Sequence, residues 1–294
     1  MTESHCLVHI SDTHFGTEKA RVVDALAERI NEIKPDIVLC SGDLTQRARA
    51  SQFRSALRFF NSLNCDRLVC VPGNHDMPLY NIVMRVLSPF YNYTRHIGQM
   101  LQTELILQSA VIIGLNTCNP WHYKNGRISH DQIRAVQHTL KSHSNDKMKI
   151  LVCHHPFDVI HDYDQENILE QAQIALQNWG DAGLDLIMAG HIHHQFCRNL
   201  QHRYSDLPKP IYSCQAGTAT SCRTRFGLNN SFMQLTIRGI KFDSKILQWD
   251  FIEGQDAFMV TEEFSPWIDS QSKDNHKPPI YGATDRTSLY QNRF

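Results

Sequence analysis

The sequence has almost no net charge, no long apolar run and no paired cysteines, and each absence removes a class of protein. Its 294 residues carry 29 Lys and Arg against 30 Asp and Glu, a net charge of −1. The broad basic footprint of a dedicated nucleic-acid binder is therefore missing. The longest apolar runs, such as Ala110 to Leu115, fall far short of the roughly 18 residues that a membrane-spanning helix needs. The nine cysteines are scattered, odd in number and contain no C-x-x-C pair, which argues against a disulfide scaffold or a structural zinc site and leaves reduced thiols, mostly in the core. The opening Met-Thr-Glu-Ser-His-Cys has neither the cationic start nor the apolar stretch of a secretory signal, so a soluble, cytoplasmic protein is expected.

Histidine is what the sequence has in abundance. There are 17, and several sit beside Asp, Asn or Gly at the ends of apolar runs, where loops carry chemistry.

Short runs rich in Val, Ile and Leu alternate with segments of helical period, the pattern of an α/β fold. Strands are expected at Cys6 to Ile10, Asp36 to Cys40 and Arg67 to Val71, with helices at Val22 to Ile33 and Ser51 to Leu63 between them. A hairpin or two strands follow within Ile106 to Leu115, then a helix over Asp131 to Leu140, a strand at Lys149 to Cys153, a helix over Glu166 to Trp179 and a strand at Leu184 to Met188. After Pro210, Ile211 to Cys214, Ser231 to Ile237 and Lys245 to Phe251 read as strands with hairpin-type connections, which suggests a second, more antiparallel sheet. Residues 1–263 form one domain on this reading, and the polar, proline-bearing 264–294 is a tail that wraps it or stays mobile.

Five polar clusters recur where strands end: Asp12-Thr13-His14, Gly42-Asp43, Gly73-Asn74-His75-Asp76, His154-His155-Pro156 and Gly190-His191-Ile192-His193. Loops beyond the carboxyl ends of parallel strands converge on one crevice, so residues far apart in sequence meet there. A mixed set of imidazole nitrogens and carboxylate or amide oxygens suits Zn, Mn or Fe, whereas Mg and Ca prefer oxygen alone. Structural zinc would recruit cysteines, so the metals should be catalytic. In an extended segment residues two apart share a face, which would let Asp12 and His14 grip one ion and His191 and His193 approach two adjacent ions from one side. Asp43 could bridge both, and glycines 42, 73 and 190 permit the tight turns that bring backbone close.

The series D-x-H, GD, GNHD, H and GHxH, in this order and at these intervals, resembles the calcineurin-like metallophosphoesterase superfamily, and within it the bacterial cyclic-nucleotide phosphodiesterase-like branch. The resemblance covers roughly residues 6–195. It implies a four-layer α/β/β/α sandwich of two mixed sheets, where alternation alone gives only α/β. It implies that Asp12, His14 and His193 hold one metal, that Asn74, His154 and His191 hold another, and that Asp43 bridges them. It further implies two divalent transition-metal ions per chain (Mn, Fe or Zn), His75 as a non-ligand histidine that contacts the scissile phosphate and assists the leaving group, and Asp76 orienting it. The implied reaction is hydrolysis of a small phosphodiester, such as a cyclic nucleotide, by direct attack of metal-bound hydroxide, with no serine or cysteine nucleophile.

Several residues and readings stay open at this point. Arg54 and Arg58, at helical spacing, make a solvated face, while Arg47, Arg223 and Arg225 lie near enough to the clusters to meet an anionic substrate. His155 and His194 are expected to flank the site rather than ligate. The insert Met77 to Gln102, with Tyr80, Phe90, Tyr91 and Tyr93, is a candidate cap or dimer contact, although aromatics at such spacings also serve as core. Trp121-His122 either lines the pocket or packs as an ordinary loop. Gly42-Asp43 is followed by Leu-Thr-Gln-Arg where protein Ser/Thr phosphatases carry G-D-x-V-D-R-G, which argues against phosphoprotein substrates. Competing readings are a pyrophosphohydrolase of a nucleotide-sugar lipid (UDP-2,3-diacylglucosamine type), a nuclease, which the absent basic tract disfavours, and a non-catalytic scaffold. The sequence leaves the oligomeric state open.

Overall fold

The structure is a computed structural model, which describes residues 4–98, 101–225, 227–238 and 243–269. The chain opens with β1 (His5–Ile10), α1 (Ala20–Ile33), β2 (Ile37–Cys40), α2 (Ala50–Asn61) and β3 (Arg67–Cys70), a pair of βα units with the three strands parallel. Helix α1 buries Val22, Ala25, Leu26 and Ile30 and stops where Lys34 turns left-handed ahead of Pro35, a residue that cannot continue the backbone ladder. Two short helices, α3 (Ile82–Leu87) and α4 (Tyr91–Ile97), fill the insert. Tyr93 of α4 is buried, packs edge-on against Phe53 of α2 and donates its hydroxyl to the Cys70 carbonyl at 2.9 Å, so this aromatic is core. Helix α3 buries no residue.

The second half builds β4 (Thr103–Ile106), β5 (Ala110–Leu115), α5 (His130–Ser142), β6 (Met148–Cys153), α6 (Ala172–Asp181), β7 (Leu186–Ala189), β8 (Phe196–Asn199) and β9 (Tyr212–Gln215). Helix α5 begins on a capping box in which Ser129 and Gln132 satisfy each other's amides. The chain then returns as β10 (Ser231–Ile237), β11 (Lys245–Ile252) and β12 (Ala257–Phe264), followed by α7 (Pro266–Asp269). Twelve strands among the described residues form two sheets of six, ordered β12-β11-β10-β1-β2-β3 and β4-β5-β6-β7-β9-β8.

Both faces of the central strands are buried, and their side chains sort by alternation. Leu7, Ile37, Leu39, Ile150, Val152, Leu186 and Met188 share the layer between the sheets. Their neighbours Val8, Val38 and Cys40 face α1 and α2, and Leu151, Cys153, Ile187 and Ala189 face α5 and α6. A strand covered on both sides reads as a continuous apolar run, and the result is the expected α/β/β/α sandwich.

Two expectations change. The strands after Pro210 do not make a sheet of their own: β9 extends the second sheet parallel to β7, while β10 to β12 complete the first through an antiparallel pairing of β10 with β1. The helix expected over Glu166 to Trp179 starts only at Ala172, because Asp162–Asn167 is a 3-10 segment whose Asp164 and Asn167 are buried. Phe264 closes β12 inside the core, and Trp267 of α7 is buried against Tyr212. Of the tail placed at 264–294, residues 270–294 lie outside the described residues. Among the described residues, no helix is long and apolar enough to cross a membrane.

Candidate metal centre

The clusters follow β1, β2 and β3 of one sheet and β6 and β7 of the other, so both sheets deliver their carboxyl ends to one place. The local backbone there is not extended. Asp12, His14, Asp43, His191 and His193 all have positive φ, between 45° and 77°, a region that costs a residue with a Cβ roughly 1–2 kcal/mol. The alternation expected for D-x-H and H-x-H is therefore produced by two left-handed residues flanking an ordinary one. Tethers hold this shape: the Asp12 and His14 amides donate to the Gly42 and Asp43 carbonyls, and Thr218 and Thr220 hydroxyls donate to the Asp12 and Thr13 carbonyls at 2.6 and 2.7 Å. These two threonines, from the loop after β9, carried no signal in the sequence.

Two groups of donor atoms form. In the first, His193 Nε2 lies 3.1 Å from both Asp12 Oδ1 and His14 Nε2. In the second, Asn74 Oδ1 lies 3.1 Å from His154 Nε2 and 3.0 Å from His191 Nδ1, with those two nitrogens 3.2 Å apart. Asp43 stands between them, its Oδ2 3.6 Å from His14 Nε2 and 3.5 Å from His154 Nε2. The potential ligand atoms of Asp12, His14 and His193 fall within 4.8 Å of one another, as do those of Asp12, Asp43 and His154. His191 and His193 thus reach different groups, the division expected for two adjacent ions.

The remaining valences aim these atoms inward. Asp12 Oδ2 accepts from Ser11 Oγ and the His191 amide, and Asp43 Oδ1 accepts from the His75 amide, which leaves Asp12 Oδ1 and Asp43 Oδ2 for the centre. His154 Nδ1 faces the Ser41 carbonyl and His193 Nδ1 the Arg223 carbonyl, each at 2.8 Å, contacts that require N–H on Nδ1 and put the ligating lone pair on Nε2. Glycine is required at two contacts. A Cβ at Gly190 would sit 1.9 Å from Ser11 Oγ, and one at Gly73 2.2 Å from the Asp43 amide and Oδ1.

This donor set fits divalent cations. Asp12 Oδ1 is buried without a hydrogen-bond partner although His193 Nε2 lies 3.1 Å away, so a carboxylate oxygen with spare valence points into the centre. Burial alone would raise Asp12 and Asp43, yet the imidazoles around them (His193 and His14 at Asp12, His154 and His75 at Asp43) hold both below the usual carboxylate range. Burial pushes His14 down to about 4 and, with the charge of His154, His191 down to about 3, so both are neutral and ligand-competent at pH 7. Burial also opposes charge on His154, but Asp43 outweighs it and lifts this histidine to about 9. Metal-free protein at neutral pH therefore carries a proton that uptake of metal must expel. The expected result is an apparent affinity rising about tenfold per pH unit from pH 7 toward 9 and levelling above. Titration calorimetry in buffers of different ionisation enthalpy checks it, and a flat profile would contradict it.

Residues beside the centre divide differently from expectation. Asp76 does not orient His75: its carboxylate is filled by the Gly73, Leu44 and Thr45 amides and the Thr45 hydroxyl, and it works as the brace of the two metal-facing loops. His75 Nδ1 donates to the Gln46 carbonyl at 2.9 Å, leaving Nε2 free of the donor groups and 3.5 Å from Arg223 Nη1. His155 is close enough to His154 and His191 to form a third possible ligand triplet. Both its nitrogens are engaged, with Thr117 Oγ1 at 2.8 Å and the Lys124 carbonyl at 3.2 Å, so it supports the loop that covers it. His194 packs against His161 away from the centre.

A cavity of about 590 Å³ opens over Asp43, Asn74, His75, His191 and His193, walled by Tyr123, Lys124, Arg223 and Arg225. Arg225 is held by Asp164 and the Ile192 carbonyl, and Lys124 pairs with Glu166. Arg223 rests on Gln46 Oε1 and faces His75. Arg47 instead covers the Tyr80 ring. Trp121 is exposed and does not line the cavity; Tyr123, two residues on, does, with its ring edge-on to His75, a role that the sequence did not signal.

Two adjacent acid–imidazole groups sharing one carboxylate, at the joint end of two sheets, define the class: a dinuclear metal-dependent hydrolase. The chain belongs to the calcineurin-like phosphoesterase family, whose model matches residues 7–195. It is 24% identical over 211 residues to the 3′,5′-cyclic adenosine monophosphate phosphodiesterase CpdA of Vibrio vulnificus, covering 67% of this chain and 72% of that one. It is 25% identical over 218 residues to the DNA double-strand break repair protein Mre11 of Methanocaldococcus jannaschii, covering 68% of this chain and 53% of that one, so it spans about half of that relative. A dimetal phosphatase from Danio rerio superposes with a TM-score of 0.59 at 12% identity, over 88% of this chain and 98% of that one. The family implies phosphoesterase activity and a dinuclear divalent centre.

Proposed function

We propose that this chain hydrolyses a small phosphodiester, with cyclic nucleotides the leading class. The observation that carries the reading is the shared Asp43 Oδ2, 3.6 Å from one donor group and 3.5 Å from the other, with a non-ligand imidazole facing the same cavity. Asp12, His14 and His193 would hold one ion and Asn74, His154 and His191 the second, with Asp43 common to both. Such a pair of cations, when bound, acidifies water and neutralises phosphoryl oxygens.

The chain's own groups supply the rest. His75, locked by the Gln46 carbonyl into the tautomer with N–H on Nδ1, has Nε2 available to take a proton and hand it to the departing oxygen. Arg223 has its guanidinium on Gln46 and His75, where it can bind a phosphoryl oxygen and fix the ester against His75. Tyr123 closes one wall and limits water. A diester with a poor leaving group makes use of all three. The likeness to CpdA, named for hydrolysis of cyclic adenosine monophosphate, supports the cyclic-nucleotide class.

A substrate panel on Mn-, Fe- or Zn-loaded protein tests this: cyclic nucleotides, glycerophosphodiesters, nucleotide-sugar lipids, DNA and monoesters. A kcat/KM for cyclic nucleotides at least about tenfold above the others is expected, and preference for monoesters or for the nucleotide-sugar pyrophosphate would overturn it. With the preferred diester, Arg223→Ala is expected to raise KM by about ten- to a hundredfold, the worth of one charge-assisted hydrogen bond. The contact to His193 survives in that variant because it uses the Arg223 backbone carbonyl. Unchanged KM would remove Arg223 from the site.

A further inference from the structure

Helix α3 presents an apolar face to solvent beside the catalytic cavity. Tyr80 is 80% exposed, Ile82 62%, Val83 65% and Leu87 77%, whereas α1, α2, α5 and α6 each bury an apolar face. Isolated exposed apolar residues are ordinary, but a contiguous set marks an interaction surface. Trp121 is 74% exposed, two residues from Tyr123, whose ring is covered by the Arg85 guanidinium of α3 at 5.8 Å. Tyr123 in turn stands edge-on to His75, so the face and the cavity mouth are continuous.

Charge is segregated onto the same region. No carboxylate occurs between Asp43 and Asp66, or between Asp76 and Glu104, while these stretches hold Arg47, Arg49, Arg54, Arg58, Arg85 and Arg95. The net charge of −1 conceals this. Arg47 lies over Tyr80 and Arg95 over Tyr91, and the Asn92 side chain ties α4 to the Ala48 carbonyl between Arg47 and Arg49. Arg47 and Arg85 therefore stand beside the exposed aliphatic residues, with further arginines on the neighbouring α2 and α4.

We propose that this face docks the protein on an anionic lipid bilayer, with Ile82, Val83 and Leu87 entering the interface, Tyr80 and Trp121 at headgroup depth and the arginines on lipid phosphates. The combination decides the occupant. Apolar side chains with basic flanks and interfacial aromatics are what a surface-lying segment needs. A second copy of the chain would bring like charges face to face, and a nucleic-acid backbone would leave the aliphatic residues unused. Docked in this way, the cavity mouth lies next to the membrane surface. The inference does not depend on the substrate reading above.

Flotation of the full-length protein with vesicles of phosphatidylcholine alone, and of phosphatidylcholine mixed with phosphatidylglycerol, tests it. The protein should float with the mixed vesicles, stay behind with the neutral ones, and be released by salt. The double variant Ile82→Asn with Leu87→Asn should lower the partition coefficient by about tenfold or more while metal content and hydrolysis of a soluble diester stay unchanged, which separates docking from folding. Failure to float with the mixed vesicles would overturn the proposal, as would equal flotation of the variant. Self-association in sedimentation that the variant abolishes, or DNA binding that competes without any vesicle binding, would overturn it in favour of those partners.

Discussion

Replacing Asp43 with Asn is expected to strip metal from both halves of the centre and to lower kcat/KM by about 10⁴-fold or more, since the charge it removes is common to both donor groups. Asp43 is almost fully buried, and its two oxygens do separate work: Oδ1 accepts from the His75 amide, and Oδ2 faces His14 and His154. Asparagine keeps the size and the acceptor for His75, so the loops should hold their shape while the anion disappears. The change should also remove the main influence that raises His154, so the metal-free variant should lose the proton that the wild type carries there. Metal analysis of protein purified without added ions is the readout, with well under one divalent ion per chain expected. A variant that keeps two ions would show that Asp43 is not shared.

His75→Ala is expected to give the opposite dissociation: metal content unchanged and kcat down by about 10² to 10⁴, the range for loss of a positioned proton donor. The structure gives the reason, because His75 Nδ1 is bound by the Gln46 carbonyl and Nε2 faces the cavity rather than Asp43 or Asn74. The defect should shrink for diesters with an activated phenolate leaving group, which needs little protonation. Loss of metal in this variant would make His75 a ligand, and an equal defect for every leaving group would make it a positioning residue.

How much of this could be read from the sequence depended on how local the cause was. The runs Ile37 to Cys40 and Leu186 to Ala189 were legible as strands because both faces are buried, which leaves an unbroken apolar signature. Their loops were legible because metal-type residues stand where each strand ends. Which sheet β10 to β12 would join was not, since pairing of Leu7 with Leu235 is a contact between distant segments that no local pattern encodes. Spacing placed Asp12 and His14 together, but through an extended backbone; the left-handed turns that do it depend on tethers from Thr218 and Thr220. Asp76 looked like a partner for its neighbour His75, whereas burial directs its carboxylate to the Leu44 and Thr45 amides. Tyr123 stands on a loop whose place over the cavity is set by the buried His155, through the Lys124 carbonyl.

Anomalous diffraction from crystals grown with manganese bears most directly on the central claim, that one carboxylate joins two metal positions. Two peaks are predicted on either side of Asp43 Oδ2, one among Asp12, His14 and His193 and the other among Asn74, His154 and His191. A single peak, or a second one that Asp43 does not touch, would contradict it.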